Sequence, residues 1–83
     1  MDKVLVGIHV PAARASSDAF LPLDVPISEL TIIISDGFHE LTNGKYEASK
    51  LEMLSLAEPS LLLDPKYTLR DYNIKDGMQL FLI

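Results

Sequence analysis

The chain contains no cysteine, so it forms no disulfide and offers no thiolate as nucleophile or metal ligand. It therefore needs no oxidising compartment. It also lacks any cluster of Lys or Arg: seven basic residues stand against twelve acidic ones, a net charge of -5. Nothing is arranged to neutralise a row of phosphates, which argues against nucleic acid as a ligand and against direct docking on an anionic lipid surface. No apolar run approaches the roughly 20 residues that span a bilayer. The segment 1–10 alternates in character instead of forming the continuous apolar stretch of a signal peptide. The chain is expected to be soluble, to need no oxidising environment and to reach a membrane only through a partner.

Catalytic machinery is equally sparse. Only His9 and His39 are of a residue type suited to acid–base work near neutral pH, and no glycine-rich phosphate loop occurs. His9 falls on the outward parity of a strand and His39 lies off the apolar stripe of a helix. Asp36 and His39 are three residues apart and share a helical face, as metal ligands do, but a third ligand is missing. Ser16, Ser17, Asp64, Glu52 and Glu58 read as loop or solvent residues. No enzyme activity, metal site or cofactor is expected.

What is present is a folded composition, 48% hydrophobic and 23% charged, over 83 residues, enough for one domain at 1–83 and too little for two cores. Val4, Val6, Ile8 and Val10 share one parity and Leu5, Gly7 and His9 the other, the period-two signature of a strand. Pro11 to Ser17 reads as a hairpin loop, followed by a second strand with Ala19, Leu21 and Leu23 inward. Pro26 and Glu29 mark a helix start. Ile27, Leu30, Ile34, Phe38 and Leu41 then line one helical face, and Thr42-Asn43-Gly44 ends it. Gly37, inside that span, is expected to mark a bend or a crowded contact. Leu51 to Leu56 reads as a third strand, Glu58-Pro59-Ser60 as a turn and Leu61 to Leu63 as a fourth strand. Thr68 and Asp71 have capping-box spacing, predicting a short helical turn from Thr68. After the turn at Lys75-Asp76-Gly77, Met78, Leu80 and Leu82 alternate with Gln79, Phe81 and Ile83 as a fifth strand. The fold class is α+β: a mixed sheet of about five strands packed on one main helix, with a short helical turn before the last strand, the β-grasp arrangement.

Two segments carry a resemblance. Thr68-Leu69-Arg70-Asp71-Tyr72-Asn73-Ile74, followed by Leu80, resembles the segment of ubiquitin that precedes its last strand. The resemblance implies that the Tyr72 hydroxyl ties its loop to nearby backbone. Leu21-Pro22 with Pro26-Ile27-Ser28-Glu29-Leu30, and Leu69 to Ile74 with Asp76-Gly77-Met78-Gln79-Leu80, resemble the small bacterial YukD/EsaB family of ubiquitin-like proteins encoded with type VII (ESX-like) secretion systems. That resemblance implies a cytoplasmic, noncovalent protein-binding accessory or regulatory subunit, recruited to the inner face of the cell membrane by a component or regulator of the secretion complex. The sequence ends at Ile83 without the Gly-Gly tail of conjugated modifiers and sulfur carriers, so neither of those functions is expected.

The expected binding surface is the sheet face turned away from the helix. If Leu80 and Leu82 face the helix, Phe81 and Ile83 lie on the other side, beside Leu5 and Met53. An uncovered sheet face is ordinarily polar, so apolar groups clustered on it point to a partner. Ubiquitin uses the corresponding face for recognition, and Ile83 falls where one member of its hydrophobic patch lies. Leu5, Met53, Phe81 and Ile83 are thus the expected protein-binding residues, and a stand-alone interaction or oligomerisation domain of unrelated context, able to form a homo-oligomer, is the competing reading. Ile32 and Ile33, on the flank of the helix, form a second candidate.

Overall fold

The computed structural model describes residues 2–47, 49 and 51–83. Strand β1 (Lys3–Val10) turns Val4, Val6, Ile8 and Val10 into the core, where all four are almost fully buried. It pairs antiparallel with β2 (Ala15–Pro22), and the register sets Val4 opposite Leu21 and Val10 opposite Ala15. The hairpin loop is therefore shorter than the sequence suggests. A 3-10 turn at Pro11–Ala13, closed by the Arg14 N–H donating to the Pro11 carbonyl with Arg14 at φ 51°, completes the reversal in four residues. Ala15 to Ser17 are thereby free to pair, and as an edge strand β2 accommodates their small polar side chains.

Helix α1 (Ile27–Leu41) starts after Pro26, which contributes no side-chain cap. Its first N–H groups are satisfied from outside: Ile27 donates to the Tyr67 carbonyl at 2.8 Å and Ser28 to that of Pro65 at 3.1 Å. The helix thus leans on the loop before β5. Ile27, Leu30, Ile34 and Phe38 are buried as their spacing predicts. Leu41 is not: one turn beyond Phe38 the helix has passed the sheet, and Leu41 lies exposed. Ser35 instead completes the buried face, and its hydroxyl donates to the Thr31 carbonyl at 2.6 Å. The helix runs unbroken through Gly37, where a β-carbon would meet no atom within 4 Å, so no crowding explains that glycine. Asn43 and Gly44, both at positive φ, end the helix, and the Gly44 N–H donates to the His39 carbonyl.

Three further strands complete the sheet: β3 (Leu54–Leu56), β4 (Leu61–Leu62) and β5 (Gln79–Leu82). Their order is β2-β1-β5-β3-β4, with β5 parallel to β1 and antiparallel to β3. Strand β3 is shorter than the apolar run Leu51 to Leu56. Met53 still exchanges two backbone hydrogen bonds with Ile83, but Glu52 turns its carboxylate back to the Tyr46 hydroxyl (2.5 Å) and the Ser49 N–H (2.8 Å). That bends the chain out of strand geometry, and Leu51 ends up exposed. Leu63, after β4, is fully buried.

Between β4 and β5, Thr68 and Asp71 form the reciprocal pair expected of them, through Thr68 N–H to Asp71 Oδ2 (2.9 Å) and Asp71 N–H to Thr68 Oγ1 (3.2 Å). The backbone bonds that follow span three residues in Tyr72 N–H to the Leu69 carbonyl and Asn73 N–H to that of Arg70, and five in Ile74 N–H to that of Leu69. This makes a series of tight turns in place of a helix. The Tyr72 hydroxyl accepts from the Asp64 N–H at 2.9 Å, which is the loop-to-backbone tie that the ubiquitin-like segment implies.

Candidate functional site

The face of the sheet away from α1 is laid out by the strand register. One row runs Ser16, His9, Phe81, Ser55 and Leu62 across all five strands, since each residue is the direct partner of the next. Beside it, Met53 pairs with Ile83. Phe81, Ile83, Met53 and Leu62 therefore gather at the β5-β3-β4 side of the face. Ile83 is 60% exposed and Leu62 52%, while Phe81 and Met53 are half-buried. His9 closes the other flank, its ring centroid 5.4 Å from that of Phe81 and tilted by 42°.

Leu5 does not join this group. It is four residues from His9 along β1, roughly 13 Å at strand rise, and its partner is Phe20 on β2. The row between holds Asp18, Gly7 and Gln79. Here the face is polar by construction. The Gln79 side chain lies over Gly7, where a β-carbon would sit 2.2 Å from Gln79 Oε1. Gln79 Nε2 donates to the Gly77 carbonyl at 3.0 Å, which leaves Oε1 to accept from His9 Nε2 at 2.6 Å. The one patch expected from the sequence is thus two: Met53, Leu62, Phe81 and Ile83 on one side of the Gln79 bridge, Leu5 and Phe20 on the other. Parity places Leu5 on the correct face. The parallel register of β1 against β5, which separates it from Phe81, leaves no local trace in the sequence.

Two exposed apolar residues of this face, Phe20 and Leu62, lie outside the set expected from the sequence. Phe20, 68% exposed, follows from the inward parity of Ala19 and Leu21, which turns it outward. Leu62 carries no such signal, because Leu61 to Leu63 is uniformly apolar.

Several polar contacts tie loops to the core. His39 Nδ1 lies 2.8 Å from the Tyr46 carbonyl, anchoring the loop after α1. Among the described residues, no three His, Asp or Glu side chains come close enough to hold a metal ion. Glu52, read from the sequence as a solvent residue, is the partner of buried Tyr46. Burial and the hydrogen bond to Glu52, with the carboxylate charge beside it, push the Tyr46 hydroxyl up to about 12. For Glu52 itself, burial acts to raise the pKa, and the hydrogen bonds from Tyr46 and Ser49 outweigh it, so the group stays below the ordinary carboxylate range. Arg70 bridges Asp24 (2.6 Å) and Asp2 (2.9 Å), and its hydrogen bond to Asp24 holds that carboxyl below its usual value. These contacts tie the loop before β5 to the β2–α1 connection and the start of β1. Every buried side-chain nitrogen or oxygen among the described residues has a partner. The sheet face offers apolar contact through Met53, Leu62, Phe81 and Ile83.

No family model matches the sequence, and no curated protein matches it. Solved structures do match. The ubiquitin-like domain of the type VII secretion system protein EccD1 of Mycobacterium tuberculosis superposes with a TM-score of 0.79 at 21% identity, covering 100% of this chain and 99% of that one. The EccD5 ubiquitin-like domain of Mycobacterium xenopi gives 0.74 at 22% identity, covering 100% and 94%. A chain of a MycP5-free ESX-5 inner membrane complex gives 0.72 at 20% identity, where this chain spans 21% of that one. Among the described residues no helix is long and apolar enough to cross a membrane. With a mixed five-stranded sheet carrying one helix, and such superpositions over its whole length, the chain has the ubiquitin-like β-grasp fold.

Proposed function

We propose that this chain is a noncovalent protein-binding subunit of a bacterial type VII secretion system, an accessory or regulatory protein of the YukD/EsaB type with no enzymatic activity. It binds a component or regulator of the secretion complex through Phe81, Ile83, Met53 and Leu62. Its place is the cytoplasm, at the inner face of the membrane when that partner is bound. The observation that carries the binding role is the apolar cluster on the sheet face away from the helix, where polar residues are the rule. The secretion context is supported by the YukD/EsaB-like segments around Pro26 and Tyr72, and by the likeness in fold to ubiquitin-like domains of type VII secretion proteins.

Capture from lysate of the native host tests both parts. The wild-type chain is expected to recover secretion-complex proteins. Phe81→Ser with Ile83→Ser should lose them, and Leu5→Ser with Phe20→Ser should keep them. Equal recovery by all three proteins would overturn the surface assignment. Recovery of no secretion protein by the wild type would overturn the secretion role.

A further inference from the structure

Beside the sheet, α1 and the segment leading into β3 enclose a groove of about 560 Å³, within the range of sites that seat a ligand. Ser28, Thr31, Ile32, Ser35 and Asp36 form its helical wall, while Glu52, Met53, Leu54, Leu63 and Pro65 face them, so Met53 borders both the groove and the sheet-face patch. Three properties define what fits. First, the walls are mainly apolar, and Ile32 stands on the rim 63% exposed, next to Ile33 at 58%. Second, the charged side chains lining the groove, Asp36 and Glu52, are both carboxylates. Helix α1 adds Glu29 and Glu40, and neither Lys nor Arg occurs between Arg14 and Lys45, leaving His39 as the one basic side chain on the helix. Lys66, next in sequence to the lining residue Pro65, is paired with Asp64 (3.9 Å) and lies over the Tyr67 ring. Third, β3 is hydrogen-bonded on both edges, to β5 and to β4, so it offers a ligand in the groove no free strand edge of its own.

We propose that this groove is a second docking site, sharing Met53 at its border with the sheet-face patch, for a helical segment of a partner protein that combines aliphatic side chains with Lys or Arg. The groove runs from Ser28 to Asp36, nine residues of α1 whose eight steps span roughly 12 Å, about two helical turns. A docked helix of that length places aliphatic groups at i, i+3 or i+4, and i+7 against Ile32 and the groove floor. Its basic residues then meet Asp36 and Glu52 across the rim. Charge complementarity selects the partner's sign, and like-charged segments are repelled. The net charge of -5 reinforces that choice at longer range. Holding a different partner on each face would let this small domain bridge two chains. This site does not depend on the function proposed for the sheet face.

Two synthetic helical peptides test it, one with Leu at the i, i+3, i+7 positions flanked by Arg, the other with Glu replacing every Arg. In amide chemical-shift titrations of the whole chain, the Arg peptide should move Thr31, Ile32, Ser35, Asp36 and Leu54, with affinity falling as salt rises. The Glu peptide should move none of them. Asp36→Lys and Ile32→Ser alter exposed or rim positions and should each weaken binding at least fivefold, while Phe81→Ser leaves it unchanged. Equal binding of both peptides, a loss below fivefold in both groove variants, or shifts on the sheet face in place of the groove would each overturn the proposal.

Discussion

At the scale of single residues, the tightest polar contact is Tyr46 with Glu52, at 2.5 Å and half shielded from water. Its pH dependence has a definite sign. The Tyr46 hydroxyl is raised from 10.0 to about 12 by burial first, then by its hydrogen bond to the carboxylate. The folded chain therefore holds that proton more tightly than the unfolded one. The resulting stabilisation is complete below about pH 10 and is lost as pH rises from there through about 12. Urea denaturation across that interval should show wild-type stability falling more steeply than that of Tyr46→Phe, which has no hydroxyl to titrate there. At neutral pH, Tyr46→Phe should cost about 1.5–3 kcal/mol, the range for a hydrogen bond to a charged group. Equal slopes for the two proteins would show that the contact is not maintained in solution. Sequence pattern offers no sign of this pair, since Tyr46 and Glu52 sit in a polar connection whose geometry depends on where α1 ends and β3 begins.

At the scale of elements, legibility follows the range of the interaction that decides each feature. Local periodicity fixes β1, α1 and β5 with their inward faces, because Val4 to Val10, Ile27 to Phe38 and Met78 to Leu82 each answer to one buried surface. The Thr68 and Asp71 contacts are three residues apart and equally readable. What escapes is non-local. The length of β3 is cut by Glu52, Leu41 overshoots the sheet, and the separation of Leu5 from Phe81 is a matter of parallel register. Gly37 illustrates the limit from the other direction. The sequence shows a glycine inside a helix, and only the surroundings reveal that nothing requires it, since a β-carbon there meets open space. Gly37→Ala should therefore stabilise the domain by about 1 kcal/mol, seen as a raised urea midpoint with an unchanged slope. A loss of stability would mean that the backbone at Gly37 departs from ordinary helical geometry.

At the scale of the whole molecule, one core has to support two exposed surfaces. A domain of this size typically has about 0.05–0.15 kcal/mol of stability per residue, so a single core truncation consumes much of the total. Leu30 from the helix and Leu80 from the central strand β5 are both completely buried, on opposite sides of the helix–sheet interface. Leu30→Ala or Leu80→Ala should each cost about 2–5 kcal/mol and leave much of the protein unfolded. Phe81, the very next residue along β5, points to the opposite face, and its ring rests on His9 with no part in the helix–sheet core. Phe81→Ser should therefore remove far less stability than Leu80→Ala, although the two changes are adjacent in sequence. Thermal melts of the two variants give the comparison directly. A drop in melting temperature as large for Phe81→Ser as for Leu80→Ala would make Phe81 a structural residue, and its exposure would no longer argue for a partner. A small drop would leave a half-exposed aromatic ring with little role in holding the fold, which is the physical signature of a surface kept for binding.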